Sequence, residues 1–195
     1  MRSYPGVELF GIFIGCAGGA VASLLYRFLL GLPLFASVLL ALIPYAKSIL
    51  GPIPDSAFAE RWSGDICFQS TPSTCGPASV CTILRHLGAH PSERTTARAA
   101  FSCSSGTEAW YLARYVRSIG FVPRFDFKDT FYPSVGLPAV VGVRLGAIGH
   151  FIAVLAVNGD QVAFADPLQG EQHLSIDRFR HRYQFTGFHM VITRP

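Results

Sequence analysis

CGPASVCTILRHLG, residues 75–88, is the stretch on which the fold turns. Cys75 opens it, and Pro77 sits in the first turn, where a missing N–H costs little. Val80, Ile83, Leu84 and Leu87 recur at the spacing of one buried helical face, and Gly88 supplies a C-terminal stop. The stretch therefore predicts a helix whose first residue is a cysteine. A helix N-terminus stabilises a thiolate through its unpaired N–H groups and its dipole. Cys75 is accordingly the candidate nucleophile, with Gly76 expected to leave space beside the sulfur for a substrate backbone.

Working outward, a second helical stretch begins near Ser92, and a third, TEAWYLARYVRSIG, stops at Gly120 with Ala109, Leu112, Ala113, Val116 and Ile119 on one inward face. After Gly120 the pattern changes to short β-branched or aromatic runs bounded by Gly, Pro or Asp: FVPRFDF, LPAVVGVRL, HFIAVLAV and QVAFADP. Ser175 can cap a short helix, SIDRFRHRY, and FHMVIT adds a last strand. Helices followed by an antiparallel sheet define an α+β class.

A thiol nucleophile needs a base within reach, and the base needs an orienting acceptor. Of six histidines, His86, His90, His173, His181 and His189 read as solvated or packing residues. His150 follows Gly149 at the start of an apolar strand, where its ring would be held rigidly at a sheet end. Asp166, ending the next strand before Pro167, is the candidate orienter. Side-chain parity places the two on one face only if their hairpin has a three-residue loop or a bulge. A two-residue Asn158-Gly159 turn would put them on opposite faces. Gln69, six residues before Cys75 across a Pro-containing loop, is the candidate side-chain donor to a developing oxyanion. Cys16, Cys67, Cys81 and Cys103 read as small buried hydrophobes. With an odd number of cysteines and no CxxC pair, neither a disulfide framework nor a zinc knuckle is indicated, and no cofactor or metal is expected.

The hydrophobic fraction of 50% averages two unlike parts. From Leu9 to Tyr26 and from Phe28 to Ala46 there is no charged residue, so each run approaches the roughly 20 apolar residues that cross a bilayer. A single cleaved signal segment of about 7 to 15 apolar residues does not account for both. Residues 1–52 are therefore expected to form a two-helix transmembrane hairpin, turning near Arg27 to Pro33 and ending around Ala46 to Leu50. A stiff linker with Gly51, Pro52 and Pro54 follows, and residues 53–195 form one catalytic domain. Arg2, Lys47 and Arg61 fall on one side and Arg27 on the other, which favours a cytoplasmic catalytic domain. The net charge of +4 is scattered rather than gathered in a patch, so nucleic acid is not expected as a partner.

The spacing of Gln69 to Cys75, the runs TCGPAS (74–79), GTEAWYLARYVRSIGF (106–121) and GHFIAVLAV (149–157), and the ADP at 165–167 together resemble the C39 family of bacteriocin-processing bacterial cysteine peptidases, within the papain-like superfamily. The resemblance covers roughly residues 65 to 193. It implies a papain-like fold, Cys75 as nucleophile, His150 as base, Asp166 as orienter and Gln69 in the oxyanion hole. It also implies a bacterial plasma-membrane setting and cleavage of peptides, often after Gly-Gly in leaders of exported peptides. The best-known members carry a transporter and an ATPase after the peptidase. This sequence instead reads as a stand-alone, membrane-anchored form, and without a GxxxxGK loop its partner in export would be a separate transporter. Two other readings stay open at this point: a catalytically silent, membrane-tethered peptide-binding module, and an acyltransferase using the same nucleophile.

Overall fold

A computed structural model describes residues 9–22, 31–131 and 136–195. The chain divides into two compact units, residues 1–52 and 53–195. In the first, α1 (Leu9–Ala22) and α2 (Gly31–Leu50) pack on each other. Gly31 and Pro33, expected in the turn, are instead the first residues of α2. Proline is tolerated there because the first N–H groups of a helix have no intrahelical partner. Residues 27–30, the rest of the expected turn, lie outside the described residues.

The expected transmembrane hairpin is not supported. Among the described residues no helix is long and apolar enough to cross a membrane. The 20 residues of α2 are diluted by Gly31, Pro33, Pro44, Lys47 and Ser48. What remains is a pair of helices with a strongly apolar exterior: Phe13, Ile14, Phe35, Leu39 and Leu42 are all exposed.

The second unit begins with a small hairpin, β1 (Trp62–Ser63) and β2 (Ile66–Cys67), followed by α3 (Cys75–His86), α4 (Glu93–Ala99) and α5 (Ala109–Ser118). Val80, Ile83 and Leu84 of α3 are fully buried, as their spacing predicts. The helix closes through paired bonds from Gly88 N–H to Arg85 O and from Ala89 N–H to Leu84 O. That closure needs the left-handed φ of +82° at Gly88, which costs glycine nothing.

Five strands follow: β3 (Val122–Phe127), β4 (Ala139–Leu145), β5 (Ile148–Asn158), β6 (Gln161–Asp166) and β7 (Gly170–Ser175). Then come α6 (Ile176–Arg182) and β8 (Gln184–Thr193). They form one six-stranded antiparallel sheet in the order β3-β8-β4-β5-β6-β7. Alternation along the strands builds a core on each face. Val140, Ala153, Ala165, Met190 and Ile192 meet α3 and α5 on one side. Val141, Ile152, Phe164, Phe179 and Tyr183 gather beneath α6 on the other. The α+β order is thus as expected; the strands the pattern does not announce are β1 and β2 of the small hairpin and, in the large sheet, β7. Its sequence GEQHLS is polar because it is the sheet edge, bonded on one side only.

Candidate active site

Cys75 is the first residue of α3, and the loop before it is tied on several sides. The Thr74 hydroxyl accepts from Thr71 N–H at 3.0 Å and donates to Thr71 O at 3.1 Å. Ser73 Oγ donates to Ser104 O at 2.6 Å. One turn further on, Ser79 Oγ donates to Phe151 O at 3.1 Å, pinning α3 to the strand position next to His150. Ser79 belongs to the quoted TCGPAS run, but nothing in the spacing marks it as the strut between the two halves of the site. Gly76 differs from its expected use. A Cβ there would stand 2.9 Å from Leu112 Cδ1 and 3.3 Å from Phe151 Cδ2, so the glycine admits close packing of α5 and β5, not a substrate backbone.

His150 and Asp166 come together through the bulge. The turn between β5 and β6 holds two residues, Gly159 and Asp160, with Asn158 opposite Gln161. Had that register continued, Asp166 would oppose Ala153 and point away from His150. At Leu155 the register shifts, so Val154 pairs with Phe164 and Ala153 with Ala165. Asp166 then falls level with Ile152, on the same face as His150 two residues away. The ring Nε2 of His150 lies 2.9 Å from Asp166 Oδ1. The same carboxylate oxygen accepts from Leu168 N–H at 2.9 Å, and Oδ2 accepts from the Tyr183 hydroxyl at 2.8 Å. Tyr183 has no sequence signal, because a buried phenol and a surface one look alike in a single chain.

These contacts set the charges. Burial opposes a charged imidazole at His150, yet hydrogen bonds to Asp166 and to Cys75 outweigh it and raise its pKa to about 9. Burial likewise pushes the Asp166 carboxyl up, but bonds from His150, Leu168 N–H and Tyr183 prevail and hold it below the usual carboxylate range. The imidazole is therefore backed by a carboxylate on Nε2, which helps it keep its proton up to about pH 9.

Gln69 is buried and is carried to the site by its backbone, whose N–H donates to Pro167 O at 3.1 Å, next to Asp166. Its Nε2 donates one hydrogen to Thr71 O at 2.8 Å, which leaves the second N–H for another acceptor. The adjoining Ser70 is fixed by Glu93, a fully buried carboxylate accepting from Ser70 N–H at 2.8 Å and from the Ser70 hydroxyl. Glu93 is a further residue that sequence reasoning passes over. Gln69 and His150 line one cleft of about 310 Å³. His86, His90, His173 and His181 are solvent-exposed, whereas His189 packs between Phe131 and Phe185. All five cysteines are free thiols. Among the described residues no cluster of His, Cys, Asp or Glu is gathered as a metal site would require.

A thiol at a helix start, and an imidazole backed by a carboxylate on an antiparallel sheet, suit the class of α+β cysteine-peptidase domains. The family model of the peptidase C39 family matches residues 55–195, and the chain belongs to that family. A protein of Methanothermobacter marburgensis is 33% identical over 129 residues, covering 65% of this chain and 86% of that one. Two solved structures share the fold. The peptidase domain of Streptococcus ComA, a bi-functional ABC transporter involved in a quorum sensing pathway, superposes with a TM-score of 0.58 at 22% identity over 66% of this chain and 96% of that one. A double glycine motif protease from an AMS/PCAT transporter, in complex with its leader peptide, gives 0.56 at 17% identity over 66% and 89%.

Proposed function

We propose that the chain is a cysteine peptidase that cleaves leader peptides of exported peptides, with Cys75 as nucleophile, His150 as acid and base, Asp166 as orienter and Gln69 as oxyanion donor. The observation that supports this reading is the 2.9 Å bond between His150 Nε2 and Asp166 Oδ1, with the His150 pKa raised, against burial, to about 9 by Asp166 and Cys75. The thiolate adds to the peptide carbonyl carbon, and the oxyanion is met by the second N–H of Gln69 and by N–H groups at the start of α3. The imidazolium gives its proton to the departing amine, leaving a thioester. Water, deprotonated by the now neutral imidazole, hydrolyses that thioester and frees the thiol.

A peptide bearing a thiol-directed warhead at its acyl end should form one adduct at Cys75. The experiment is run in a Cys16→Ser chain, since Cys16 is the other thiol open to solvent, whereas Cys67, Cys81 and Cys103 are buried. Adduct formation that persists after Cys75→Ala would overturn the assignment. Product mass distinguishes transfer to water from transfer to an amine.

The apolar unit of residues 1–52 we assign to attachment at the cytoplasmic face of the plasma membrane, with a separate transporter as partner. Support comes from the exposed Phe13, Ile14, Phe35, Leu39 and Leu42, an apolar surface of the kind soluble monomers seldom leave uncovered. In oriented vesicles the full chain should stay with the membrane, its 53–195 portion digestible only from the cytoplasmic side. Digestion from the opposite side would refute the placement.

A further inference from the structure

Beside His150 lies a cleft whose composition the peptidase reading does not explain. Residues 69–72 form one wall, and Leu145, Ile148, Gly149, His150 and Leu168 the other. Leu145 and Ile148 pair directly across the β4–β5 turn, and Val143 pairs with His150 two residues further. All four side chains therefore stand on one face of the hairpin. Ile148 is 72% exposed and Leu168 53% exposed. Leu168 is no wandering surface residue: its N–H is held by the Asp166 carboxylate at 2.9 Å, and Gln169 N–H closes a turn onto Asp166 O at 3.0 Å. The same carboxylate thus orients His150 and fixes the backbone that presents Leu168.

Resting on the peptidase reading, we propose that this cleft receives the residue immediately after the scissile bond and selects an apolar side chain there, with Leu168 and Ile148 as the specificity-determining residues. The direction follows from the chemistry. The acyl part of the substrate is bonded to the Cys75 sulfur, while the departing nitrogen must lie against His150 to take its proton. A cleft lined by His150 and Gln69 but not by Cys75 is on the departing side. Apart from His150, no titratable side chain lines it. An acidic or basic residue entering it would lose water without gaining a partner, whereas an aliphatic one would cover Leu145, Ile148 and Leu168. A volume of about 310 Å³ sits at the small end of ligand pockets, enough for one or two side chains.

The test is a set of otherwise identical peptides carrying Leu, Ala or Asp directly after the cut, incubated with the full chain. The Leu peptide should exceed the Asp peptide in kcat/KM by roughly tenfold to a hundredfold. Leu168→Ser should remove most of that ratio, its folding checked by the melting midpoint. If Leu168→Ser does not fold, Ile148→Ser serves, and its ratio should fall as well. Equal rates for the three peptides, a preference for Asp, or a ratio that survives both substitutions would overturn the assignment while leaving the peptidase reading intact. No cleavage of any peptide, together with no adduct at Cys75, would instead overturn the peptidase reading and this assignment with it.

Discussion

Cys75→Ala should lower kcat/KM for peptide cleavage by at least roughly 10⁴-fold, since removing the nucleophile of a covalent mechanism leaves only binding and oxyanion stabilisation. The melting midpoint should hardly move. Cys75 is partly exposed, and what fixes the start of α3 is the loop around Thr71 and Thr74 and the Ser79 bond to Phe151, none of which uses the thiol. Two other cysteines of the 53–195 unit should behave in the opposite way. Cys67 and Cys81 sit in a dry cluster with Ala78 and Trp62. The hydrogen bond with Cys81, and then burial, push the Cys67 thiol far upward and keep it protonated. Substituting either thiol should therefore change stability before it changes rate. Comparison of kcat/KM with the melting midpoint across the three variants separates the roles, and a Cys75→Ala chain retaining more than a few per cent of the rate would remove Cys75 from the chemistry.

Much of this site can be read in sequence because it hangs on local signals. The cysteine at a helix start, the Gly88 stop and the apolar strand behind His150 each depend on residues a few positions apart. The hairpin is the instructive middle case. Parity demands a three-residue loop or a bulge, and no short-range rule says that the register shifts at Leu155 instead of at the loop. Gly76 shows a right residue with the wrong reason: its missing Cβ serves Leu112 and Phe151, which lie 36 and 75 positions away. Tyr183, Glu93 and Ser79 escape for the same cause, because their partners at Asp166, Ser70 and Phe151 are distant in sequence. In the N-terminal unit, unbroken apolar runs suggest two spans. Among the described residues no helix is long and apolar enough to cross a membrane, and α2 carries prolines at 33 and 44.

Asp166→Ala should cost both stability and rate. It strips the acceptor from three donors at once: His150 Nε2, Leu168 N–H and the Tyr183 hydroxyl. Breaking a buried charged pair in this way typically costs about 3–5 kcal/mol, which for a domain of this size lowers the melting midpoint by roughly 10 °C. The sign of the pH effect follows from the shifts. His150 has its pKa raised from 6.5 to about 9, so its contribution to stability is complete below about pH 6.5 and is lost as pH rises through about 9. Asp166 is lowered from 3.8, so its contribution is present above that value and is lost as pH falls through the lowered one. The native chain should thus melt highest between about pH 4 and 6.5. The milder Asp166→Asn keeps the shape but not the charge. Without the carboxylate, burial prevails at His150 and the imidazolium gives up its proton at lower pH. The alkaline limb of kcat/KM, which reports loss of the proton needed by the departing amine, should then move from near pH 9 toward neutrality, and the decline in melting midpoint above pH 6.5 should flatten. An alkaline limb that stays in place in Asp166→Asn would show that some other group holds the proton on His150.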